Sequence, residues 1–229
     1  MKPCVGESGA IPVANCRIIN AVSECVSVRS GELPVLIDTL RASSTIVVAL
    51  SHGIKRIIPL HDNQQPQDFE SCDVLTIGES GGEQLPGFEA GNSPAKLVDI
   101  LTSTPRETIA MRTSNLIPLL IKQEHAVICS NINVRAVAEY CMDKNVCIIA
   151  AGGGWGQAED LSVALALGAL IGGAKFDTDA LSCFVRESGA ARHLQDLGFQ
   201  ADVDFIVDSS QYDVVPMYDG KEIRNVKHS

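Results

Sequence analysis

The stretch Val35-Leu36-Ile37-Asp38-Thr39-Leu40-Arg41-Ala42-Ser43-Ser44-Thr45 joins an apolar run to a polar turn. The apolar residues 35–37 are followed at once by a carboxylate, as at the end of a strand that is covered on both faces. Residues 46–52 are mostly apolar and stop at Gly53, which predicts a helix that begins after the turn. A strand, a turn and a helix in this order form the repeating unit of α/β folds.

The same unit recurs along the chain. Apolar runs predict further strands at residues 57–60, 74–77, 108–112, 126–129 and 146–150, and helices are predicted over residues 116–122, 134–143 and 160–171. Because short apolar strands alternate with helices, we expect an α/β fold of three layers, α/β/α, around a largely parallel or mixed sheet. Past residue 173 the pattern is less regular, and we expect helix over 180–194 and strands at 205–207 and 214–218.

Composition limits the size of the fold and the class of partner. The chain has 229 residues, 45% of them hydrophobic, which fits one α/β domain over residues 1–229, with 180–229 as an alternative C-terminal subdomain. The net charge of −10 disfavours nucleic acid and anionic membranes as partners. Binding of an anion therefore requires a local positive potential from an arginine, a helix N-terminus or a metal ion. We leave monomer and homodimer open.

The N-terminus and the cysteines indicate a compartment. Residues 1–8 lack the apolar segment of a signal peptide, and no apolar run is long enough to cross a bilayer. The eight cysteines include no Cys-x-x-Cys pair, so we expect free thiols rather than a zinc site. These features predict a reduced, cytoplasmic protein.

Polar clusters follow five of the predicted strands, at residues 38–45, 78–82, 113–115, 130–133 and 152–160. Ligands of open α/β sheets bind outside the carboxyl ends of the strands, so we expect these clusters to share one edge of the sheet and one crevice. For any single cluster the alternative is a helix cap, because Ser44, Thr45, Asn133 and Asp160 are residue types that cap helices.

Two carboxylates stand directly after apolar strands. Asp38 ends the first strand, and Glu79 follows another strand and enters a Gly-Gly turn. A buried carboxylate needs a partner, and we consider two for Asp38: an ion pair with Arg41, or a Mg²⁺ ion that Glu79 also binds. Glu159 and Asp160 are further candidate metal ligands, unless they serve only to complement the dipole of the helix that they begin.

One segment has the spacing of a different class of phosphatase. Cys129 and Arg135 are separated by five residues between a strand and a helix, the arrangement in which a thiolate attacks phosphorus and an arginine binds the oxygens. The intervening residues lack the glycine that lets a backbone wrap closely around phosphate. We therefore expect Cys129 to be a buried strand residue, and we keep the thiolate phosphatase as an alternative.

Three segments carry a resemblance: Asp38-Thr39-Leu40-Arg41-Ala42-Ser43-Ser44-Thr45, Gly78-Glu79-Ser80-Gly81-Gly82 and Pro86-Gly87-Phe88-Glu89-Ala90-Gly91-Asn92-Ser93-Pro94. The first and the third are specific when they occur together. In this order the chain closely resembles the 2-phosphosulfolactate phosphatase family, and the similarity continues to about residue 220. The resemblance implies a Mg²⁺-dependent phosphatase with an α/β fold. The family reaction removes phosphate from 2-phospho-3-sulfolactate to give 3-sulfolactate, a step in coenzyme M biosynthesis.

The resemblance implies a site for a small anionic phosphorylated substrate. Asp38 and Glu79 would hold Mg²⁺ and, together with Arg41, form the catalytic set. The substrate-binding residues that we expect are Ser43, Ser44 and Thr45 for the phosphate, and Asn92, Ser93 and Asn115 for the carboxylate and the sulfonate.

The chain departs from the family pattern at two places. Ser80 stands where the family usually has an arginine, a change that removes a bidentate contact to phosphate or sulfonate. Leu116 and Ile117 replace a Gly-Thr pair, which makes that turn bulkier and less polar. A diverged member that binds a small anion without hydrolysing it is therefore a second alternative.

Overall fold

The computed structural model of the protein describes residues 15–21, 26–61, 63–69, 73–152 and 157–227. The strands there are β1 (Cys16–Asn20), β2 (Leu33–Ile37), β3 (Arg56–Pro59), β4 (Val74–Ser80), β5 (Glu83–Gln84), β6 (Thr108–Arg112), β7 (Ala126–Cys129), β8 (Val146–Ala150), β9 (Pro216–Tyr218) and β10 (Ile223–Asn225). The α-helices are α1 (Ala42–Ser51), α2 (Pro94–Ser103), α3 (Leu116–Leu120), α4 (Val134–Cys141), α5 (Ala158–Ile171), α6 (Thr178–Arg186), α7 (Gly189–Asp196) and α8 (Gln200–Ile206). The expectations about residues 1–8, the glycine-rich turn at 153–156, Cys4, Cys25 and Cys72 lie outside the described residues.

The strands form one mixed sheet in the order β1–β8–β2–β7–β9–β10–β3–β6–β4–β5. β1, β8, β2 and β7 are parallel to one another and form a first group, and β3, β6 and β4 form a second parallel group. The hairpin β9–β10 lies between the groups and pairs antiparallel with β7 on one side and with β3 on the other. Three antiparallel pairings in succession reverse the direction, so the two groups run opposite to each other.

This topology corrects one expectation. Polar clusters that follow β2, β7 and β8 belong to the first group, whereas those that follow β4 and β6 belong to the second, so the five do not share one edge of a parallel sheet. The pairings between the groups are short, since β10 joins β3 through Ile223 opposite Ile57. Side chains from both groups still line one cavity, as described below.

The expected three-layer α/β/α fold is confirmed. Helix α5 packs against β1, β2 and β8, and α1 packs against β7 and β9. One apolar core extends from Val35 on β2 to Ile223 on β10 and includes Leu181 and Val203 of the C-terminal helices. The C-terminal helices thus share the core of the sheet, while the domain boundaries stay a prediction.

Most elements lie within a few residues of their predicted positions, and β6, β7 and β8 have the predicted bounds. Helix α1 begins at Ala42 rather than after Thr45, because the carbonyl oxygen of Asp38 accepts a hydrogen bond from Ser43 N (2.8 Å) and starts the helical turn early. Strand β1 was not predicted, because it lies at the edge of the sheet and its partly exposed residues lack a continuous apolar pattern.

The predicted strand at residues 205–207 is wrong. These residues lie at the end of α8, which buries Val203 and Ile206, one turn apart, together with Asp202. Packing of a helical face outweighs the weak helix propensity of β-branched residues here. The predicted helical region 180–194 consists of two helices, which separate at Ser188, where the side chain caps α7 by accepting from Ala191 N (3.0 Å).

Two further features concern membranes and thiols. Across the described ranges, no helix combines the length and the apolar character that crossing a membrane requires. Cys16, Cys129, Cys141, Cys147 and Cys183 are free thiols.

Candidate active site

A cavity of about 150 Å³ is lined by residues from both groups of strands and from α7. Its lining residues are Asp38, Leu40, Arg41, Glu79, Gly81, Gly82, Asn92, Ser114, Asn115, Glu159, Asp160, Ala190, His193 and Leu194. Four of the five predicted polar clusters contribute to it, and the cluster at residues 130–133 does not. The cavity therefore unites the carboxyl ends of β2 and β8 with those of β4 and β6.

Asp38 is the first residue after β2 and is almost completely buried. Its backbone N–H donates to Ser43 Oγ (2.9 Å), and its carboxylate accepts from Ala42 N (3.4 Å), so the first turn of α1 holds it in place. Burial, with the neighbouring carboxylates of Asp160 and Glu79, raises the pKa of Asp38 well above its usual value. A cation near Asp38 would relieve this cost.

Glu79 lies near the end of β4. Its carboxylate is held by hydrogen bonds from the turn after β4 and from the segment after β6. Its Oε1 accepts from Gly82 N (2.8 Å) and from Ser114 Oγ (2.7 Å). Gly82 adopts a φ of +92°, which lets the turn fold back so that its N–H reaches the carboxylate. The Gly-Gly turn that the sequence places after Glu79 thus fixes this side chain at the cavity.

Glu159 and Asp160 stand in the first turn of α5 and are both buried. Asp160 accepts from Thr39 N (2.8 Å) and Gly152 N (3.1 Å), which joins α5 to the turn after β2. Burial and the Glu159 carboxylate raise the pKa of Asp160 to about 8, and burial, with a contribution from Asp38, raises the pKa of Glu159 to about 7. Both residues line the cavity, so a ligand role remains open to them beside that of complementing the helix dipole.

Arg41 does not pair with Asp38, so that interpretation is wrong. Its Nη1 donates to Asp202 Oδ2 (2.7 Å) on α8, and its Nη2 donates to the carbonyl oxygen of Gly82. Its guanidinium carbon lies 4.2 Å from the centre of the Phe199 ring. The arginine is therefore held from three sides while it lines the cavity.

The donor set of the cavity fits magnesium. Carboxylate and amide oxygens are the ligands that Mg²⁺ prefers, and it needs only one or two protein carboxylates because water and phosphate complete its shell. In the described ranges, no group of three or more His, Cys, Asp or Glu side chains is placed to hold a metal ion, so a Mg²⁺ ion here would have at most two such ligands. Asn92 Oδ1 and Glu159 Oε2 are buried oxygens without a hydrogen-bond partner, so acceptors at the cavity lining are available.

The other predicted substrate-binding residues divide into two sets. Asn92 and Asn115 line the cavity. Ser43, Ser44, Thr45 and Ser93 are buried and do not line it. Ser43 Oγ accepts from Asp38 N, Ser44 Oγ donates to Thr39 O (2.7 Å), Thr45 Oγ1 donates to Arg41 O (3.2 Å) and Ser93 Oγ donates to Asp202 (2.6 Å). These hydroxyl groups hold the segments around the cavity.

Residues of α7 and α8 have no counterpart among the predicted site residues. His193 of α7 lines the cavity, and its Nε2 lies 3.2 Å from the carbonyl oxygen of Gly81. Asp202 of α8 binds Arg41. A signal for Asp202 was present, because it is an acidic residue close to the apolar residues 205–207, but the assignment of those residues to a strand obscured it.

The two departures from the family pattern lie outside the cavity wall. Ser80 is exposed and pairs with Glu83 of β5. Leu116 and Ile117 are buried in the apolar core as the first two residues of α3. Neither change therefore places a different side chain in the lining of the cavity.

The geometry does not support the thiolate alternative. Cys129 is completely buried on β7, and burial raises the pKa of its thiol well above the usual value. Arg135 is exposed on α4, and neither residue lines the cavity. Because the thiolate is the reactive form, a deeply buried neutral thiol is a poor nucleophile.

Comparison with known proteins identifies the family. A family model described as 2-phosphosulpholactate phosphatase matches residues 16–221. A protein of Methanothermobacter thermautotrophicus named 2-phosphosulfolactate phosphatase is 32% identical over 206 residues, covering 82% of this chain and 88% of that protein. One of Thermotoga maritima, named probable 2-phosphosulfolactate phosphatase, is 30% identical over 199 residues, covering 80% of this chain and 87% of that protein. The chain belongs to the 2-phosphosulfolactate phosphatase family.

Proposed function

We propose that the chain is a Mg²⁺-dependent phosphatase that hydrolyses 2-phospho-3-sulfolactate, or a closely related small phosphorylated acid, to 3-sulfolactate and phosphate. Family membership supports the reaction class, which is the hydrolysis of a phosphoric monoester. The observation that carries the proposal is the single cavity lined by Asp38, Glu79 and Arg41. Carboxylates for a metal ion and a guanidinium for phosphate are the groups that this reaction requires.

The charge of the cavity supports the need for a cation. Its lining includes four carboxylates and one guanidinium, and that guanidinium is already paired with Asp202. Where these carboxyl groups are ionised, the cavity repels a phosphorylated acid. Mg²⁺, when bound, would offset the repulsion and lower the pKa of a bound water molecule.

Other roles in the proposed reaction are metal binding, phosphate binding and orientation of the substrate, and each is assigned to residues that line the cavity. Asp38 and Glu79 hold the ion, and Gly82 N and Ser114 Oγ keep Glu79 in place. Arg41 binds phosphoryl oxygens, where negative charge increases in the transition state. The amide groups of Asn92 and Asn115 orient the carboxylate and the sulfonate.

The hydroxyl groups after β2 do not line the cavity, and they position the segments that do. Ser43 positions the backbone of Asp38, and Ser44 and Thr45 hold the turn that carries Arg41. Ser93 acts in the same way through Asp202. The phosphatase in this proposal is a small-molecule enzyme of the cytoplasm, and the homodimer remains an open alternative to the monomer.

Replacement of the metal-binding carboxylates tests the proposal. We expect Asp38→Asn and Glu79→Gln each to lower kcat/KM for phosphate release by at least about 100-fold, which corresponds to roughly 2.7 kcal/mol. Glu107→Gln is the control, because Glu107 forms an exposed ion pair with Lys55 and does not line the cavity. Wild-type activity is expected to disappear in excess EDTA and to return with Mg²⁺.

Two results would contradict the proposal. Full activity of Asp38→Asn in EDTA would exclude the metal-dependent reaction. Saturable binding of 3-sulfolactate by a wild-type protein that turns over no phosphorylated acid would favour the non-hydrolysing alternative.

A further inference from the structure

Asp202 is a buried carboxylate that does not line the cavity but contacts residues that do. It lies on α8, 161 positions after Arg41 in the chain, and its side chain is 1% exposed. A buried carboxylate is costly unless charged or polar partners surround it. Its contacts therefore indicate what it does.

Within the described part of the chain, each hydrogen bond of the Asp202 carboxylate joins α8 to a segment of the site. Oδ2 accepts from Arg41 Nη1 at 2.7 Å. Oδ1 accepts from Ser93 Oγ at 2.6 Å and from Ala95 N at 3.2 Å. One side chain thus connects the residue before α1 with the start of α2, where Asn92 lines the cavity.

The Arg41 guanidinium is fixed in place but not saturated. Besides Asp202 it bonds the carbonyl oxygen of Gly82 and stacks on the Phe199 ring. A guanidinium carries five N–H groups, and these two contacts are its hydrogen bonds to the described part of the chain. The remaining N–H groups have no hydrogen bond to the described part of the chain, and the residue lines the cavity.

Nearby carboxylates compete for the same arginine. Asp38 is three residues away, and Asp38, Glu79, Glu159 and Asp160 line the cavity with Arg41. Within the described ranges, Asp202 is the one carboxylate at ion-pair distance from this guanidinium. If Arg41 instead paired with Asp38 or Glu79, it would block a proposed metal ligand and withdraw from the phosphate.

We infer that Asp202 is a positioning residue that holds the Arg41 guanidinium at the cavity wall and keeps it from pairing with Asp38 or Glu79. The inference rests on the proposed function, in which Arg41 binds the phosphoryl group. A buried ion pair is not required for stability, since apolar replacements of both partners often preserve a fold. The pair therefore calls for a role besides stability, and the position of the arginine at the cavity supplies one.

Crystal structures of the full-length protein test the positioning directly. In Asp202→Asn, we expect the Arg41 guanidinium to leave the Phe199 ring and to come within about 4 Å of the Asp38 or Glu79 carboxylate, an ordinary ion-pair distance. Asp204→Asn is the matched control on the same helix, because Asp204 forms an exposed pair with Arg186. Arg41 unmoved in Asp202→Asn, still on Phe199 and Gly82, would overturn the inference.

A double-mutant cycle tests the consequence for turnover of 2-phospho-3-sulfolactate with Mg²⁺. We expect Arg41→Met and Asp202→Asn each to lower kcat/KM at least tenfold, and the double variant to lie within twofold of Arg41→Met. Such non-additivity shows that Asp202 acts through Arg41. The double variant lacks both charges, so it remains informative even if Asp202→Asn alone does not fold.

The remaining outcomes separate the two proposals. Losses that multiply in the double variant, or full activity of Asp202→Asn, would overturn the role of Asp202. A wild-type protein without turnover would refute the proposed function, while the position of Arg41 in the crystal structures would still decide the inference about Asp202.

Discussion

Glu159 and Asp160 show how burial changes the chemistry of a side chain. Their pKa values are about 7 and about 8 in the folded protein, because water is excluded and carboxylates lie nearby. In an unfolded chain such groups have pKa values of about 4. Between pH 4 and pH 8 the folded protein therefore holds protons that the unfolded chain releases, and stability falls as pH rises through this window.

This difference predicts a pH dependence of thermal stability. We expect the Tm of the metal-free protein to fall by about 4 °C or more between pH 5.5 and pH 8.5, the change for roughly 1–2 kcal/mol in a chain of this size. Glu159→Gln removes one titrating carboxylate, so its Tm should fall less over the same range. Differential scanning fluorimetry measures both proteins. A Tm that rises with pH, or equal slopes for the two proteins, would contradict the titration that we assign.

Cys129 provides a second test at a single side chain. Since its thiol is buried and does not line the cavity, we expect Cys129→Ala to retain kcat within about threefold, an effect of less than 1 kcal/mol on the barrier. Cys141→Ala is the control for stability, because Cys141 is also completely buried. A folded Cys129→Ala protein that has lost activity at least a hundredfold would revive the thiolate phosphatase.

Strand β4 presents Glu79 to the cavity, and a close contact beside Glu79 sets its position. A Cβ at Gly78 would lie 2.4 Å from the Phe88 ring, which packs with Leu60 and Ala110. Gly78 and Phe88 belong to two of the segments that resemble the family. Their contact gives a physical reason for the joint occurrence of these segments. Residue 78 of β4 must lack a side chain because the Phe88 ring packs directly against it.

The contact predicts the effect of an added methyl group. We expect Gly78→Ala to destabilise the protein by about 1–3 kcal/mol, the range for overpacking, and to lower kcat/KM because Glu79 is displaced. Gly172→Ala is the control, since Gly172 has a φ of −73° and no neighbour of its Cβ position closer than 3.5 Å. Urea denaturation measures both. Equal stability of the two variants would show that the ring moves aside without cost.

Elements with continuous apolar patterns could be predicted from the sequence, and others could not. β6, β7 and β8 were located correctly because strands buried on both faces are uninterrupted apolar runs. The edge strand β1 is half exposed and lacks that pattern, and α8 resembles a strand because Val203, Phe205 and Ile206 are typical strand residues. Tertiary contacts, which no local pattern records, decide these cases.

The same distinction holds for the site. Asp38 and Glu79 could be singled out because a carboxylate directly after an apolar run is unusual, and both line the cavity. The burial of the Ser43, Ser44 and Thr45 hydroxyl groups could not be predicted from the sequence. A polar residue after a strand is equally compatible with a ligand site and with the start of a helix. Asp202 required knowledge of a contact across 161 positions of the chain.

The molecule as a whole depends on a short hairpin. Strands β9 and β10 join two parallel groups that run in opposite directions, and the cavity needs residues from both. Strand order and direction are not recorded in hydrophobic periodicity, so the sequence predicted five clusters at one edge where the structure divides them between two groups. The C-terminal hairpin is therefore the element that joins the two groups of strands whose residues line the cavity.

Ile223 tests this dependence. It is completely buried on β10, opposite Tyr218 of β9 and Ile57 of β3. We expect Ile223→Ala to cost about 2–4 kcal/mol and to lower activity and Tm together, because the groups lose their common support. Arg224→Ala is the exposed control on the same strand and should change stability by less than about 0.5 kcal/mol. A destabilised Ile223→Ala protein with unchanged kcat and KM would show that the site does not need the junction.

The central claim is that one cavity shared by the two groups of strands binds Mg²⁺ and a small phosphorylated acid. Its most direct test is the rate of phosphate release from 2-phospho-3-sulfolactate by the purified full-length protein, measured with Mg²⁺ and with excess EDTA. We predict turnover that saturates with substrate, requires the metal and is lost in Asp38→Asn. Metal-independent turnover, or no turnover of this substrate or of related phosphorylated acids, would contradict the account.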